Sequence, residues 1–449
     1  METRILDDIL AQLRDRLEHD DLDGAADIIE SLHPPDQAEI FSELDDQDQI
    51  ALLPRLEPTD SADILEKLDE EEAAELVAAL PTEALIRIVD EMEPDEAADL
   101  LGDIPPAQAQ AVLAGLEDPE EVHPLLLHAD DSAGGLMTSE FLALRRRMTA
   151  EEAIAALRAW KPDAETIYYL YVIDAQGRLC GVVGLRDLII ADPETQVGDI
   201  MDPDVIAVPA GTDQEECARL MQHYDLLALP VVDAENHLLG VVTIDDVVDV
   251  LVDEATEDIQ RLGGAQPLGR SYLDTSVFLV TRKRIGWLLL LFLTESLTGT
   301  VLRHFEDELQ AVVALAFFVP LLIGTGGNAG SQTTSTIIRA LAVGDIDLGD
   351  ALRALWHELR VGVALGLGMA VVAYIRALTW GSSPELALTV AAAIFTIVVW
   401  ANGLGAVLPL VATRLGIDPT VLSAPVMSTL VDATGLFIYF SIARLILGL

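Results

Sequence analysis

Asp432 stands about a dozen residues into the apolar run Val421–Leu447, beside Thr429, Ala433 and Gly435. A carboxylate in such a setting is costly, and it faces a partner or a polar cavity. Arg444 is twelve residues further on, more than about 15 Å along a helix, so it is no intra-helix partner. Glu295, in the apolar run Ile285–Leu302, is a competing carboxylate and the one clear candidate for a second titratable membrane site. The stretch Phe318–Thr334 gathers Pro320, four glycines, Asn328, Gln332 and several hydroxyls. That mixture predicts an interrupted segment, since irregular backbone at membrane depth is tolerated only against protein or a water-filled path. Tight packing of small residues would explain the glycines but leaves Asn328 and Gln332 unexplained. Gly324–Gly330 is not a phosphate loop, because it lacks a Gly-Lys-Ser/Thr ending and no cytosolic strand precedes it. A third group is acidic: Asp245, Asp246, Asp249, Asp253, Glu254, Glu257 and Asp258 crowd one predicted helix from Ile244 to about Leu262. Like charges four apart destabilise a bare helix, so something must neutralise them. Gly263-Gly264 then ends it.

The elements that hold these residues divide by composition. The chain has 449 residues, 76 acidic and 26 basic, a net charge of −50, a pI of about 4.1 and 51% hydrophobic residues. Residues 1–270 hold 64 acidic and 16 basic residues, a net of −48; residues 271–449 hold 12 and 10, a net of −2. An acidic, water-facing part therefore precedes an apolar part. The acidic part has no polybasic surface for nucleic acid or anionic lipid. Regular apolar residues argue against disorder. Cys180 and Cys217 are the only cysteines; they form no metal spacing and suit a reducing compartment. Met1–Asp20 carries nine charges, unlike a signal peptide, so the acidic part is expected in the cytoplasm. The only lysines are Lys67, Lys161 and Lys283. Bulk acidity with so few lysines also fits adaptation to high salt, so the clustering on the Ile244–Leu262 helix is the more informative signal.

Five segments approach or exceed the roughly 20 residues that cross a bilayer. They are Ile285–Leu302, Leu309 to about Thr325, Ala354–Ile375, Leu386–Val411 and Val421–Leu447. Arg282-Lys283-Arg284 precedes the first and places that end in the cytoplasm. Arg339, Arg353 and Arg414 then fall inside, Arg303 and Arg376 outside, and the C-terminus outside.

The acidic part opens with a repeat. Leu32, Leu44, Leu56, Leu68, Leu80, Met92, Ile104 and Leu116 stand twelve apart. Apolar columns lie four residues upstream (Ile28 to Val112) and three upstream (Ile29 to Leu113), all on one helical face. Prolines and acids between units suit the first turn of the next helix. Each two-turn helix cannot bury its stripe alone, so the units stack into a superhelix. Periodicity by itself favours a rigid spacer or docking solenoid over a charged moving part.

Two stretches then read alike, each as strand, helix, strand, turn, strand, helix. One starts at Met137 and ends in Tyr171–Ile189; the other starts at Met201 and ends in Leu229–Val248. The turns are Asp174–Gly177 and Asp233–Asn236. Gly240-Val241-Val242-Thr243-Ile244-Asp245-Asp246 matches the Gly-x-Val-(Ser/Thr)-x-x-Asp signature of CBS domains, which the pair resembles. In the first copy Gly184 replaces the hydroxyl residue ahead of Leu185-Arg186-Asp187. The resemblance implies an adenine nucleotide such as ATP in the groove between copies. Its contacts would come from Arg186, Asp187, Ala228, Pro230, Thr243 and Asp246, with aspartate on the ribose and Arg186 towards phosphate. A dimerising module without ligand is the plainer alternative.

The whole order resembles the MgtE family of magnesium channels and transporters. The motifs that carry the resemblance are Ala133–Thr138, Glu254–Ile259, Pro320–Gln332, and Asp418-Pro419 through Asp432–Gly435. The implied fold is a multidomain α and α/β membrane protein. Residues 1–130 form the helical-repeat domain, 131–196 and 197–243 the CBS (βαββα) pair, 244–269 a connecting helix, and 270–449 five membrane helices. The resemblance implies a homodimer in the cell (inner) membrane with a pore on its two-fold axis. Asp432 from each subunit would hold Mg²⁺ there and Asn328 would line the path; Ala424 stands where some members carry a polar residue. Mg²⁺ sheds water reluctantly, and two carboxylates acting through its waters could select it yet release it.

The family further implies closure by cytosolic Mg²⁺ bridging acidic surfaces. The eligible carboxylates are Asp90, Glu91, Asp95, Asp213, Asp225, Asp246, Asp249, Glu254, Glu257 and Asp258. Two alternatives stay open: an ion-coupled secondary transporter using Glu295, and a membrane-tethered nucleotide-responsive receptor or enzyme. The sequence holds no Walker motif, no His-Glu-x-x-His and no nucleophile constellation, so an enzyme is not expected. The partners expected are Mg²⁺, lipid and a second copy, and no nucleic acid.

Overall fold

The computed structural model describes residues 2–160, 169–268, 275–421 and 424–449, without the side chains of residues 2–5, 7 and 71. Lys161 and the boundary expected at 269 and 270 lie outside the described residues. The chain divides into two compact units, Met1–Asp253 and Glu254–Leu449, and the division falls within one helix.

The first unit opens with short helices: α1 Glu2–Glu18, α2 Leu22–Ile29, α3 Pro34–Ser42, α4 Asp46–Leu52, α5 Pro58–Lys67, α6 Glu70–Ala78, α7 Thr82–Val89, α8 Pro94–Asp103, α9 Pro106–Leu113 and α10 Pro119–Val122. Proline begins α3, α5, α8, α9 and α10, where its missing N–H leaves no helical bond unmade. The twelve-residue columns form the core: Ile40, Leu52, Ile64, Leu76 and Ile88 are buried, as are Phe41, Leu53, Leu65, Val77 and Val89. The acids between units have a structural task. Glu30 accepts from the Glu57 amide at 3.0 Å, Glu66 from the Glu93 amide at 3.0 Å, and Asp90 from the Glu117 amide at 2.8 Å. Each satisfies an amide just ahead of a later helix or turn, which apolar periodicity alone did not foretell.

The CBS copies follow. The first has β1 Ala143–Arg145, α11 Ala150–Trp160, β2 Tyr169–Ile173, β3 Leu179–Gly184, α12 Leu185–Ile190 and α13 Val197–Ile200. The second has β4 Val208–Pro209, α14 Gln214–Tyr224, β5 Ala228–Val232, β6 Leu238–Thr243 and then α15 Ile244–Leu262. Each sheet pairs its first two strands parallel and its last two antiparallel. The segment ahead of the first copy pairs with the second sheet (Thr138 with Val241), while the linker pairs with the first (Asp202 with Val182). A glycine makes each approach possible. A Cβ at Gly240 would stand 2.8 Å from the Thr138 carbonyl oxygen, and one at Gly181 would stand 3.2 Å from that of Asp202. One hydrophobic core runs from Leu13 through the repeat into the second copy at Val250, whereas the first copy closes its own around Leu144, Leu170 and Leu188.

The second unit holds the C-terminal end of α15, then α16 Val277–His304, α17 Glu306–Ala311, α18 Ala314–Ala342, α19 Ala351–Thr379, α20 Pro384–Arg414 and α21 Ala424–Leu447. Five of these, all but α15 and α17, are long and apolar enough to cross a membrane. Much of α20 is buried among α18, α19 and α21, while α16 is largely exposed and packs on α21.

The segment read as interrupted is continuous helix from Ala314 to Ala342. Pro320 falls in its second turn, where it removes a single helical bond. The glycines serve close packing. A Cβ at Gly326 would meet Ile397 at 2.5 Å and Val431 at 2.9 Å, and one at Gly405 would meet the Gly330 carbonyl oxygen at 2.7 Å. Small residues let helix backbones approach where lipid supplies no hydrophobic drive between helices. Gly405→Ala therefore lowers the unfolding midpoint of the detergent-purified protein, because the neighbour it strikes is backbone. Gly286→Ala, at a position with nothing within 4 Å, leaves the midpoint in place or raises it slightly; equal behaviour of the two would contradict the packing.

Candidate cation sites

Asp432 lies on α21, half-buried, and no hydrogen bond or ion pair reaches it among the described residues. The helix around it is seated against α18: a Cβ at Gly330 would meet Met427, one at Gly327 the Ser428 hydroxyl at 3.1 Å, and one at Gly326 Val431. Asn328, next to that Gly327 contact, is exposed, as is Gln332 one turn on. The seam thus sets an unpaired carboxylate close to a helix that carries an exposed amide stripe. Glu295 on α16 is exposed, and α16 packs on the α21 that carries Asp432. Arg444 is engaged elsewhere, bonded to Glu308 at 2.5 Å with its guanidinium over the Phe305 ring. Ala424 accepts from the Ser331 hydroxyl through its backbone oxygen at 3.3 Å, so this position contributes its main chain whatever its side chain.

The acidic helix divides its charges. In the first unit, Asp246 accepts from the Thr243 hydroxyl at 2.5 Å, a side-chain bond across the first turn of α15. Asp249 stands 3.9 Å from Lys67. Asp95, on α8, is 5% exposed, and its Oδ1 has no hydrogen-bond partner. Burial drives its carboxyl well above the usual range, and the charges of Asp246 and Glu96 add to this. Burial, with Glu66 and Asp246, pushes Glu96 up to about 8. Burial, with Asp130 and Glu70, pushes Asp99 up to about 7. These are carboxylates held together against their own repulsion.

In the second unit, Glu257 pairs with Arg261, which also reaches Asp418 at 2.6 Å. Burial raises the Asp258 carboxyl, helped by the charges of Asp418 and Glu254.

Of the residues proposed from sequence, the structure brings Asp95 and Asp246 into one electrostatic group. Asp249 joins it through Lys67, while Asp90, Glu91, Asp213 and Asp225 of the same unit make other contacts. Asp90 caps the Glu117 amide, and Glu91 accepts from Thr59 at 3.4 Å. Asp213 caps α14 through the Glu215 amide, and Asp225 ends that helix in the left-handed region at φ +53°. No group of three or more His, Cys, Asp or Glu side chains stands in metal-holding geometry among the described residues. Glu96, Asp99 and Asp418 were missed. Glu96 and Asp99 follow Asp95 on the same short helix, so a count of acids per helix would have found them. Glu358, inside the span Ala354–Ile375, was missed because it sits beside His357 and Arg360 and reads as a helix end; it is 9% exposed within α19.

In the CBS pair, the signature hydroxyl and aspartate of the second copy hydrogen-bond to each other. Gly184, having no side chain, begins α12 without such a bond, and Arg186 and Asp187 are exposed. Ala228 and Pro230 lie on β5 opposite Thr243 and Val241.

Five helices of membrane-crossing length and a pair of CBS-like sheets define a multi-pass membrane protein with a paired α/β module. The sequence matches the family description "Divalent cation transporter" over residues 319–442, "MgtE intracellular N domain" over 32–130, and "CBS domain" over 133–194 and 197–253. It is 44% identical to the magnesium transporter MgtE of Thermus thermophilus over 445 residues, 98% of each chain. It is 36% identical to that of Bacillus subtilis over 323 residues, 72% of this chain and 71% of the relative. A crystal structure of the cytosolic domain of the Mg²⁺ channel MgtE in complex with ATP superposes with a TM-score of 0.51 at 43% identity, covering 54% of this chain and 99% of the other. The chain belongs to the MgtE family of magnesium transporters.

The raised carboxyls give a pH prediction. A carboxyl whose folded value exceeds its unfolded value of about 4 binds its proton more tightly in the fold. The stability it contributes is whole below the unfolded value and is lost as pH rises through the folded value. With Glu96 at about 8 and Asp99 at about 7, stability falls between about pH 4 and pH 8 in chelator. Thermal unfolding of the full-length protein in chelator checks this, and Glu96→Gln flattens the decline. A wild-type midpoint that rises between about pH 6 and pH 8 would contradict the assignment.

Proposed function

We propose that this protein is a Mg²⁺-permeable channel of the cell membrane, working as a homodimer and closed by cytosolic Mg²⁺. The observation that carries the reading is Asp432, an unpaired carboxylate on the tightly packed α18–α21 seam, in a chain of the magnesium transporter family. Asp432 of each subunit holds hydrated Mg²⁺, and Asn328 lines the path. Hard oxygen ligands suit this ion, and contact through its waters keeps release fast. Mg²⁺ is the cargo here and, on the cytosolic side, also the effector. The acidic part lies in the cytoplasm and the C-terminus outside.

Closure follows from the crowded carboxylates. Asp90, Glu91, Asp95, Asp213, Asp225, Asp246, Asp249, Glu254, Glu257 and Asp258 supply the ligands from which the bridging sites are drawn. Ions bound between facing carboxylates favour the closed arrangement only by their preference for it. A shift from about 1:99 to 99:1 needs about 5.5 kcal/mol of differential binding, which several ions share. ATP binds the groove between CBS copies and adds to the closed state; the ATP-bound relative supports this assignment. Arg186, Asp187, Ala228, Pro230, Thr243 and Asp246 are its contacts.

A coupled transporter is the second reading, favoured by one observation: Glu295 is a second carboxylate of the membrane unit, on a helix packed against the α21 that carries Asp432. Bilayer or patch recording separates the two. Current carried by Mg²⁺ with no proton gradient, lost in Asp432→Ala, supports the channel. Uptake that needs a proton gradient and vanishes in Glu295→Gln supports the coupled transporter instead.

A further inference from the structure

The acidic unit holds one lysine among the described residues, and it stands where three helices meet. Lys67 ends α5, and its Nζ lies 3.9 Å from Asp249 on α15. Burial alone would lower its ammonium, but the charges of Asp249, Glu96, Glu66 and Asp246 outweigh it and hold the group above its ordinary value. Its charge in turn opposes the rise that burial imposes on Glu96 and Asp63. One ammonium thus acts on carboxyls from α5, α8 and α15. Arg16, Arg55, Arg178 and Arg219 of the same unit pair instead with Asp21, Asp23, Asp174 and Glu216.

The group keeps room for a further cation. Asp95 is 5% exposed, and its Oδ1 has no hydrogen-bond partner. A buried carboxyl oxygen without a partner is costly, and a cation that reaches it lowers that cost. A single lysine leaves more carboxyls than cations at this junction.

The lysine is also held loosely. Its side chain is 54% exposed, and 3.9 Å is the long end of an ion pair. Such a pair adds little to stability, because water screens it and the stem loses rotamer freedom. An ammonium on a flexible four-carbon stem can leave for water at small cost. While it stays, a divalent ion meets repulsion from it and competition for the same oxygens.

We propose that Lys67 is a tethered counter-cation of the α5–α8–α15 carboxylates. It occupies them at low Mg²⁺, yields as divalent ions rise, and so sets the Mg²⁺ concentration at which they bind. Its effect on closure rests on the channel reading above; its effect on divalent binding does not. The lysine works as a threshold: with it in place more Mg²⁺ is needed, and without it the same carboxylates fill earlier.

The test follows thermal unfolding of the full-length, detergent-purified protein as Mg²⁺ is raised from chelator. Lys67→Gln removes the charge at an exposed position that accommodates the amide. Its midpoint is expected to lie below that of wild type in chelator and to close the gap as Mg²⁺ rises. The Mg²⁺ concentration at which its midpoint starts to climb lies about three- to tenfold below that of wild type. Lys67→Arg keeps the charge and stays within about twofold of wild type. Arg55→Gln makes the same change in net charge, but at the Asp23 pair, and leaves the onset in place. A lysine with a purely structural role would give a gap that is constant at every Mg²⁺ concentration. That result, or an Arg55→Gln variant shifted as far as Lys67→Gln, would overturn the inference. In recordings, the cytoplasmic Mg²⁺ that halves the current falls by the same factor in Lys67→Gln, and an unmoved current midpoint would overturn the threshold role. If wild-type current ignores cytoplasmic Mg²⁺, the closure reading falls, while the unfolding curves still decide what Lys67 does to divalent binding.

Discussion

Carboxylates forced close together, with few bases to relieve them, are the constraint on which the first unit turns. Each would lower its energy by moving into water, yet Asp95, Glu96 and Asp99 are held on α8 near Asp246 by the apolar columns beneath them. Burial and mutual repulsion act in the same direction there, and both raise the carboxyls. Lys67 is a rare counter-charge in the group, at 3.9 Å from Asp249. An arrangement so short of cations is stable in proportion to what binds it, whether protons or divalent ions. That makes it suited to report an ion concentration rather than merely to join two domains.

The membrane unit follows a different rule. Its backbone approaches are set by glycines on α18, α19 and α20, and its polar groups meet at few points. Among the described residues Asp432 is left without a hydrogen bond or ion pair, while Thr333 hydrogen-bonds to both Glu358 and Asn402. A carboxylate proposed to face an ion path must stay available, whereas one inside a helix bundle is held by its neighbours. The same residue type thus serves opposite ends according to what surrounds it.

Much of this was legible in the sequence because it is periodic or costly. The twelve-residue columns dictated the stacked helices, and the strand-turn-strand echoes and the Gly-x-Val-Thr signature dictated the paired CBS sheets. The span lengths dictated five membrane helices, and Gly263-Gly264 set the end of α15. Asp432 stood out because charge in an apolar run is expensive. The misreadings have physical causes too. Glycine and proline in Phe318–Thr334 suggested a break, but the glycines answer to the neighbouring helices α20 and α21, which local sequence does not display. Glu358 was hidden by adjacent charges at a helix end. The buried group around Asp95 depends on which acids of α8 face α15, a tertiary fact. Asp90 and Glu91 also accept hydrogen bonds within the repeat, a structural task that apolar periodicity does not display.

The central claim is that cytosolic Mg²⁺ acts by relieving this repulsion. The most direct measurement is Mg²⁺ current as a function of cytoplasmic Mg²⁺, for wild type and for a variant carrying Asp95→Asn, Glu96→Gln and Asp246→Asn. These isosteres remove both the repulsion and the ligands while preserving shape. The account predicts that wild-type current falls steeply as cytoplasmic Mg²⁺ rises and that the variant responds weakly or not at all. A variant with the same midpoint and steepness as wild type would contradict it.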